Sequence, residues 1–504
     1  MDFVVKQSDA RVARWPKRGA LTVWCAASLA LTGCVTLGPD YRTPQVDVPS
    51  QWTMSGDASV SYVNADAAEL RTWWRAFHDP LLDRLVDAAL TNNQDIAIAR
   101  TRLTQARAER VQIAAGLGPS VTAGGIGQAL RSSERLDWPP GIGESRTWRL
   151  GFDASWELDL FGGTRRAVEA ADAQIDAVSD DRYAVQVSLL AELASDYAAL
   201  RTAQTRLVIA HDNIRNLREG ERLAERALAQ GLGTSADVAQ ARAEREAAQA
   251  QPPLLAADIA RLSHAIGVLT GGFPGDWLDA LTRDAGAMPV APALPLSMPS
   301  EVLRQRPDLR AAERRLAAAT AQIGVAQAAR YPHFSIPLSL GTTASLIHDL
   351  FSTASVAWSV GLQASQSIYD GGRAAAGVTR AQAQADAARL AFERDVRRAM
   401  RDVEDALTLL GSERTREVAL AAAVQDSQLA LDRVTRLYRR GLSGYLPVLT
   451  AQRAANHARE ALALSQGAQV RGAIALYKAL GAGWQADADD ASGHTPQNTT
   501  TDAG

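Results

Sequence analysis

Two cysteines in 504 residues cannot build a disulfide framework. Aromatic residues make up only 6% of the chain, too few for a bulky globular core. There is no basic excess: the formal net charge is -3, which excludes the electrostatic footprint of a nucleic-acid binder. No apolar run reaches ~18 residues, so no helical span of the inner-membrane type is evident. What is abundant is alanine, 97 residues. Alanine is the best helix former and carries little side-chain volume. The composition therefore favours long helices packed at close range, although length alone would suggest about three domains of roughly 150 residues each.

The N-terminus indicates the compartment. Lys6, Arg11, Arg14, Lys17 and Arg18 precede an apolar stretch, Ala20 to Leu31, too short to span as a stable helix, which reads as a secretory signal. It ends in Leu31-Thr32-Gly33-Cys34, a pattern similar to the bacterial lipobox. The expectation is a signal peptide over 1–33 and a lipidated Cys34 opening a lipid-anchored segment, 34–79. Val35 in second position resembles lipoproteins of the outer membrane. The alternative is an ordinary signal with a chance cysteine. Cleavage would leave 48 basic against 54 acidic residues, a net of -6.

The rest of the chain reads as a duplication. A shift of 213 places Asp95 on Asp308, Arg102-Leu103 on Arg315-Leu316 and Pro119 on Pro332 without a gap. A shift of 210 places Gly231-Leu232 on Gly441-Leu442, Val238 on Val448 and Gly271 on Gly481. The copies span 80–285 and 297–483, and a polar tail, 484–504, is expected to be disordered. Ser300 is expected to cap the first helix of the second copy, with Glu301 behind it. Pro119 and Pro332 end the first helices of the copies.

Strands follow. Trp148, Leu150, Phe152, Ala154, Trp156 and Leu158 alternate with Arg149, Gly151, Asp153, Ser155, Glu157 and Asp159, the period of a strand with one apolar and one polar face. Phe334 to Leu340 and Trp358 to Ala364 repeat the alternation, and Val121 to Leu130 is a Gly-rich variant. The expected strands are 119–133, 146–160, 332–345 and 354–369, each near the length that crosses a bilayer when tilted. Trp138, Trp148, Phe351 and Trp358 sit near the strand ends, as a membrane girdle would. A soluble four-stranded sheet is the alternative. Strands in lipid must close, and four are fewer than the eight of the smallest barrels, so membrane strands here require an oligomer. Each strand pair feeds a proline-free stretch, to about Gln230 and to about Arg440, long enough for a helix of roughly 100 Å.

Short motifs complete the pattern: Gly38-Pro39-Asp40-Tyr41, Pro44 and Trp52 after Cys34; Trp73-Trp74, Phe77 and Asp79-Pro80-Leu81; Arg306-Pro307-Asp308 with Ala312-Glu313; and Tyr369-Asp370-Gly371-Gly372. With them the chain, over about 34–483, resembles the outer-membrane efflux factor family (TolC/OprM-like), in its lipid-anchored (NodT-type) branch. The resemblance implies a mostly α fold with a small membrane β part. A homotrimer would close a 12-stranded β-barrel through the outer membrane, continued by a long periplasmic α-helical barrel. The function implied is the exit duct of a tripartite efflux pump. A periplasmic adaptor (membrane fusion) protein would join the duct to an inner-membrane transporter. Small molecules would pass by diffusion, with no cofactor and no enzymatic step.

The resemblance also places a periplasmic gate at two helical tips, 231–238 and 438–450. Asp237 matches an acidic residue that ties the closed state together, Tyr438 its tyrosine partner, and Leu446 an apolar constriction. Thr450, Pro447 and Ser443 stand where the family carries charged residues, so Arg439 or Arg440 is the expected partner of Asp237. The alternative for Asp237 is a helix cap after Ser235. No other chemistry stands out: the seven histidines show no metal-ligand spacing, and Gly124-Gly125-Ile126-Gly127 lies in a strand without a phosphate-binding context. The competing reading is a periplasmic coiled-coil lipoprotein of structural or adaptor type without a pore.

Overall fold

The structure, a computed structural model, describes residues 36–53, 62–64, 67–131, 133, 135, 144–283, 288–292, 294–296 and 299–485. The signal peptide, Cys34 and Trp138 lie outside the described residues. In chain order the elements are β1 (Tyr62–Asn64), α1 (Ala67–Arg71), a 3-10 turn (Trp73–Phe77), α2 (Pro80–Asn92), α3 (Gln94–Ala114), β2 (Ser120–Arg131), β3 (Glu144–Leu158), α4 (Gly163–Ala229), α5 (Ser235–Gln249), α6 (Gln251–Leu269) and α7 (Leu278–Arg283). Then follow β4 (Leu294–Leu296), α8 (Pro299–Gln305), α9 (Pro307–Ala328), β5 (His333–Ala344), β6 (Val356–Val360), β7 (Gln363–Ser365), α10 (Arg373–Arg439) and α11 (Tyr445–Ala479).

Long helices form where proline is missing and alanine abounds. α4 and α10 each run 67 residues and start 210 positions apart. α11 is one helix of 35 residues, whereas the corresponding stretch of the first half is split between α5 and α6. Pro252 and Pro253 stand at the break, where they lack the N–H groups that would continue the helix. Two local expectations differ from the structure. α8 begins at Pro299, so Ser300 lies inside the first turn rather than at the cap, and proline's fixed φ suits that opening position. Trp484, placed by sequence in the polar tail, is packed: its ring lies 4.6 Å from that of Tyr183 and 5.0 Å from the Arg310 guanidinium, and its Nε1 donates to the Gln305 carbonyl at 3.1 Å.

The chain divides into two compact units. The first comprises 36–41, 110–171 and 319–385 among the described residues. It is built on an antiparallel sheet ordered β2-β3-β5-β6, with β7 also on β5. The last expected strand, 354–369, is shorter than anticipated and broken in two. The register is the same on both sides of the break. Between β6 and β7 the partner of Gly361 is Pro337, whose carbonyl accepts the Gly361 N–H at 3.0 Å but which has no N–H to return.

The second unit comprises 42–109, 172–318 and 386–485 among the described residues. Its core gathers Trp73, Leu85, Leu190, Tyr197, Ile266 and Leu281. Trp73 stacks on Tyr477 at 5.0 Å. The Asp79-Pro80-Leu81 motif is a helix start: the Asp79 carboxylate accepts from the N–H groups of Leu81 (3.0 Å) and Leu82 (3.3 Å), and Pro80 fills the first helical position. Asp79 also accepts from the Tyr197 hydroxyl at 2.5 Å. In this unit the short strands β1 and β4 pair in parallel.

Candidate functional site

Register assigns every strand residue of the sheet to a face. Trp148, Leu150, Phe152, Trp156, Leu338, Leu340, Trp358 and Val360 fall on one face, and all are exposed. Phe152 is 59% exposed and Trp358 73%, values that a water-soluble sheet would not leave on contiguous aromatic and aliphatic side chains. The other face carries Arg149, Asp153, Glu157, Ser335, Ser339, His333 and Ser359. There Arg149 reaches Asp153 at 3.0 Å, and Ser339 and Ser359 hydroxyls meet at 2.8 Å.

Three of the four aromatic girdle candidates can be placed along the strands, Trp138 lying outside the described residues. Trp148 pairs with Gly127 and Ala344, at the end of the sheet that carries the β2–β3 and β5–β6 connections. Phe351 is exposed in a 3-10 turn of the β5–β6 connection, at the same end. Trp358 is not in that row. It pairs with Leu340, which pairs with Phe152, four residues deeper along β3. Trp156 was not among the girdle candidates read from the sequence. It lies eight residues from Trp148 on the same face, about 27 Å along an extended strand, and its Nε1 donates to the Leu117 carbonyl at 2.9 Å. On strands tilted by about 35–45° that separation rises about 20 Å, most of the roughly 25 Å apolar band of an outer-membrane barrel. The eight-residue tryptophan spacing was the available signal.

At the Trp156 end of the sheet the N-terminal segment is clamped. The Arg166 guanidinium, almost fully buried, donates to the carbonyls of Leu37 (3.0 Å) and Gly38 (3.3 Å) and to the carboxylates of Asp40 (2.7 Å) and Glu169 (2.8 Å). Gly38 has φ +96° and lies against Gly324, where a Cβ would come within 2.5 Å of the Gly324 Cα. This gives the Gly38-Pro39-Asp40 motif a physical meaning: glycine for a left-handed, closely packed turn and aspartate for the buried arginine.

The two helical tips are built alike. The turn after α4 carries Gly231 (φ +74°) and the turn after α10 Gly441 (φ +71°), the left-handed closure that glycine adopts without strain. Leu232 N–H returns to the Ala227 carbonyl at 2.8 Å, and Leu442 N–H to the Leu437 carbonyl at 3.0 Å. Asp237 is used locally: its carboxylate accepts from Thr234 N–H at 3.0 Å and Thr234 Oγ1 accepts from Asp237 N–H at 3.2 Å, a capping box at the start of α5. Among the described residues neither Arg439 nor Arg440 pairs with Asp237. Arg439 reaches Glu219 at 3.6 Å instead, because Asp237 already faces its own helix start. Leu446 is exposed, and the Thr450 hydroxyl donates to the Leu446 carbonyl at 3.0 Å.

Tyr438 and Tyr445 form a tilted pair, centroids 5.6 Å apart, in a small cluster with Leu217, Ala241, Val448 and Leu449. Neither hydroxyl has a hydrogen-bond partner among the described residues. Burial, then the Asp237 carboxylate, raises the Tyr438 hydroxyl above its ordinary range. Burial pushes the Tyr445 hydroxyl up to about 12. Sequence reasoning named Tyr438 but not Tyr445.

Among the described residues no group of three or more His, Cys, Asp and Glu side chains could hold a metal ion, and no helix is long and apolar enough to cross a membrane.

Known proteins resemble the chain in sequence and in fold. The family described as outer membrane efflux protein matches twice, over residues 85–272 and 298–482. "Cation efflux system protein CusC" of Escherichia coli O6:H1 is 31% identical over 469 residues, 92% of this chain and 99% of the relative. "Solvent efflux pump outer membrane protein SrpC" of Pseudomonas putida is 33% identical over 467 residues, 91% and 97% of the two chains. The solved structure of the outer-membrane channel OprN superimposes with a TM-score of 0.83 at 36% identity, covering 89% of this chain and 99% of that one.

Proposed function

This chain belongs to the outer membrane efflux protein family and is an outer-membrane exit channel of an efflux system, and on that premise we propose that three copies close a single duct. The observation that carries the reading is the exposed apolar face bounded by Trp148 and Trp156. A strand face of that height needs hydrocarbon, and hydrocarbon tolerates no open strand edge. Each chain supplies four strand positions: β2, β3, β5, and β6 with β7. Three chains supply the twelve of a closed barrel. Trp148 and Phe351 then belong to the outer girdle, Trp156 to the inner one, and Trp358 to the middle of the apolar band.

The two family matches and the equal lengths of α4 and α10 support a duplicated unit, whose long helices from three copies continue the duct as an α-helical barrel through the periplasm. Cys34 carries the lipid anchor, and the Arg166 clamp holds the segment that follows it. The tips would meet a periplasmic adaptor bound to an inner-membrane transporter. The transport step needs only an open path, so the chain contributes no catalysis. Closure of the periplasmic end rests on the Tyr438–Tyr445 cluster with Leu446 at the constriction, and Asp237 contributes by fixing the start of α5. Thr450 lines the same exposed helix face as Leu446, one turn on.

Reconstitution of the purified full-length protein into a planar bilayer tests the reading. Discrete, trimer-dependent conductance steps are expected. A protein that integrates into the bilayer and gives no conductance, even after the tip contacts are weakened by Tyr445→Ala, contradicts a duct and favours a coiled-coil lipoprotein without a pore.

A further inference from the structure

On the polar face of the sheet, Nδ1 of His333 lies 3.0 Å from a carboxylate oxygen of Glu157. Glu157 directly follows the inner-girdle Trp156, and His333 opens β5, so the pair sits at the inner end of the strands. Both side chains are more than half exposed, so their contact is not imposed by a buried core.

The charged neighbours on this face are otherwise engaged. Asp153 is held by Arg149 at 3.0 Å. Asp159 accepts from the N–H groups of Thr164 and Arg165 and from the Arg165 guanidinium. The flanking strand positions beside His333, Gln363 and Ser365 on β7 and Ser335 on β5, carry no charge. Arg330, three residues before His333, is exposed and keeps its charge at every pH of the test, so it shifts the selectivity without adding to its pH response. A second histidine–carboxylate pair, His348 with Asp349 at 3.2 Å, lies in the β5–β6 connection at the opposite end of the sheet. Glu157 is therefore the carboxylate of this strand face whose partner is a group that can be neutral or cationic.

Resting on the trimeric-barrel reading, we propose that three Glu157–His333 pairs ring the inner mouth of the β-barrel lumen and set the channel's preference between cations and anions. With the imidazoles neutral the ring carries three uncompensated carboxylates, which attract cations. With the imidazoles protonated the ring is neutral. Histidine is the side chain whose charge changes between pH 5 and 8. The field of such a ring is screened within about 10 Å at 0.1 M salt and about 30 Å at 0.01 M, so the effect belongs to dilute electrolyte.

The test is the zero-current potential of the full-length channel in a planar bilayer under a potassium chloride gradient, at about pH 7.5 and about pH 5.5. The wild type is expected to be more cation-selective at the higher pH, with a permeability ratio changed by about twofold. Glu157→Gln is expected to lower the ratio at both pH values, with the low-pH channel turned toward anions, and to keep a pH response because the imidazoles still change charge. His333→Gln should hold the high-pH ratio at both values, and His333→Arg the low-pH ratio at both. Conducting channels whose pH response survives in His333→Gln and His333→Arg overturn the proposal and point to His348 or the helical tips. Absence of conductance in the wild type would instead overturn the barrel reading on which the proposal rests.

Discussion

At the residue scale, buried charge decides which contacts matter. Arg166 reaches both the Leu37 and Gly38 carbonyls, and it is almost fully buried. Removing it takes the donor from those half-buried acceptors, a loss of about 0.5–1.5 kcal/mol per hydrogen bond. Arg166→Ala is expected to free the segment around residues 37–41 for protease cleavage without changing the helical circular dichroism. An unchanged cleavage pattern would show that the clamp does not hold that segment. Asp180 is a second buried charge. It pairs with Arg310 at 3.0 Å, yet burial outweighs that pairing and raises its carboxyl to about 6. A carboxyl with a raised folded-state pKa binds protons more tightly when folded, so its contribution is fully present below about pH 4 and is lost as pH rises to about 6. Asp180→Asn is expected to flatten that part of the melting temperature against pH curve, measured by calorimetry. A curve with the same slope in both proteins would exclude the assignment.

At the element scale, strands and helix starts answer to different physics. An arginine in the middle of the lipid-facing band costs about 2–4 kcal/mol, and near the interface about 0–1. Leu340 pairs with Phe152, midway between Trp148 and Trp156, whereas Leu362 lies between Gly361 and Gln363, in the row of Trp156. Leu340→Arg is therefore expected to abolish assembly in the outer membrane, seen as loss of heat-modifiable oligomer on a gel, while Leu362→Arg is largely tolerated. Equal loss in both would argue against the depth assigned to the rows. At the first tip, Thr234→Ala removes the acceptor for Asp237 N–H and is expected to cost about 1 kcal/mol of helix-start stability. If Asp237 acts mainly through the cap, Thr234→Ala and Asp237→Ala should raise single-channel conductance alike. Conductance raised by Asp237→Ala alone would show a contact beyond the cap.

The elements were unevenly legible. Period-two alternation and the absence of proline made β3, β5, α4 and α10 readable, since each signal reports directly on the backbone. The break between β6 and β7 was not readable from its own residues, because its cause is Pro337 on the neighbouring strand. The role of Asp237 turned on Thr234, three residues earlier, and the Arg166 clamp joins residues more than a hundred positions apart. Trp156 was visible but unassigned, because a girdle is defined by depth, and depth follows from register. The histidine–glutamate pair could not be read at all: His333 and Glu157 share neither periodicity nor motif.

At the scale of the whole molecule, the abundance of alanine and the scarcity of aromatics describe a chain with little globular interior to fill. The second unit concentrates its large side chains around Trp73, Tyr197 and Tyr477, while the sheet turns its apolar residues outward. In the barrel proposed above, such a chain would satisfy its strand edges with copies of itself. The most direct test is native mass spectrometry of the full-length protein extracted from outer membranes in mild detergent. The mass of three chains is expected, and a stable monomer with its strands inserted in the membrane would contradict the account.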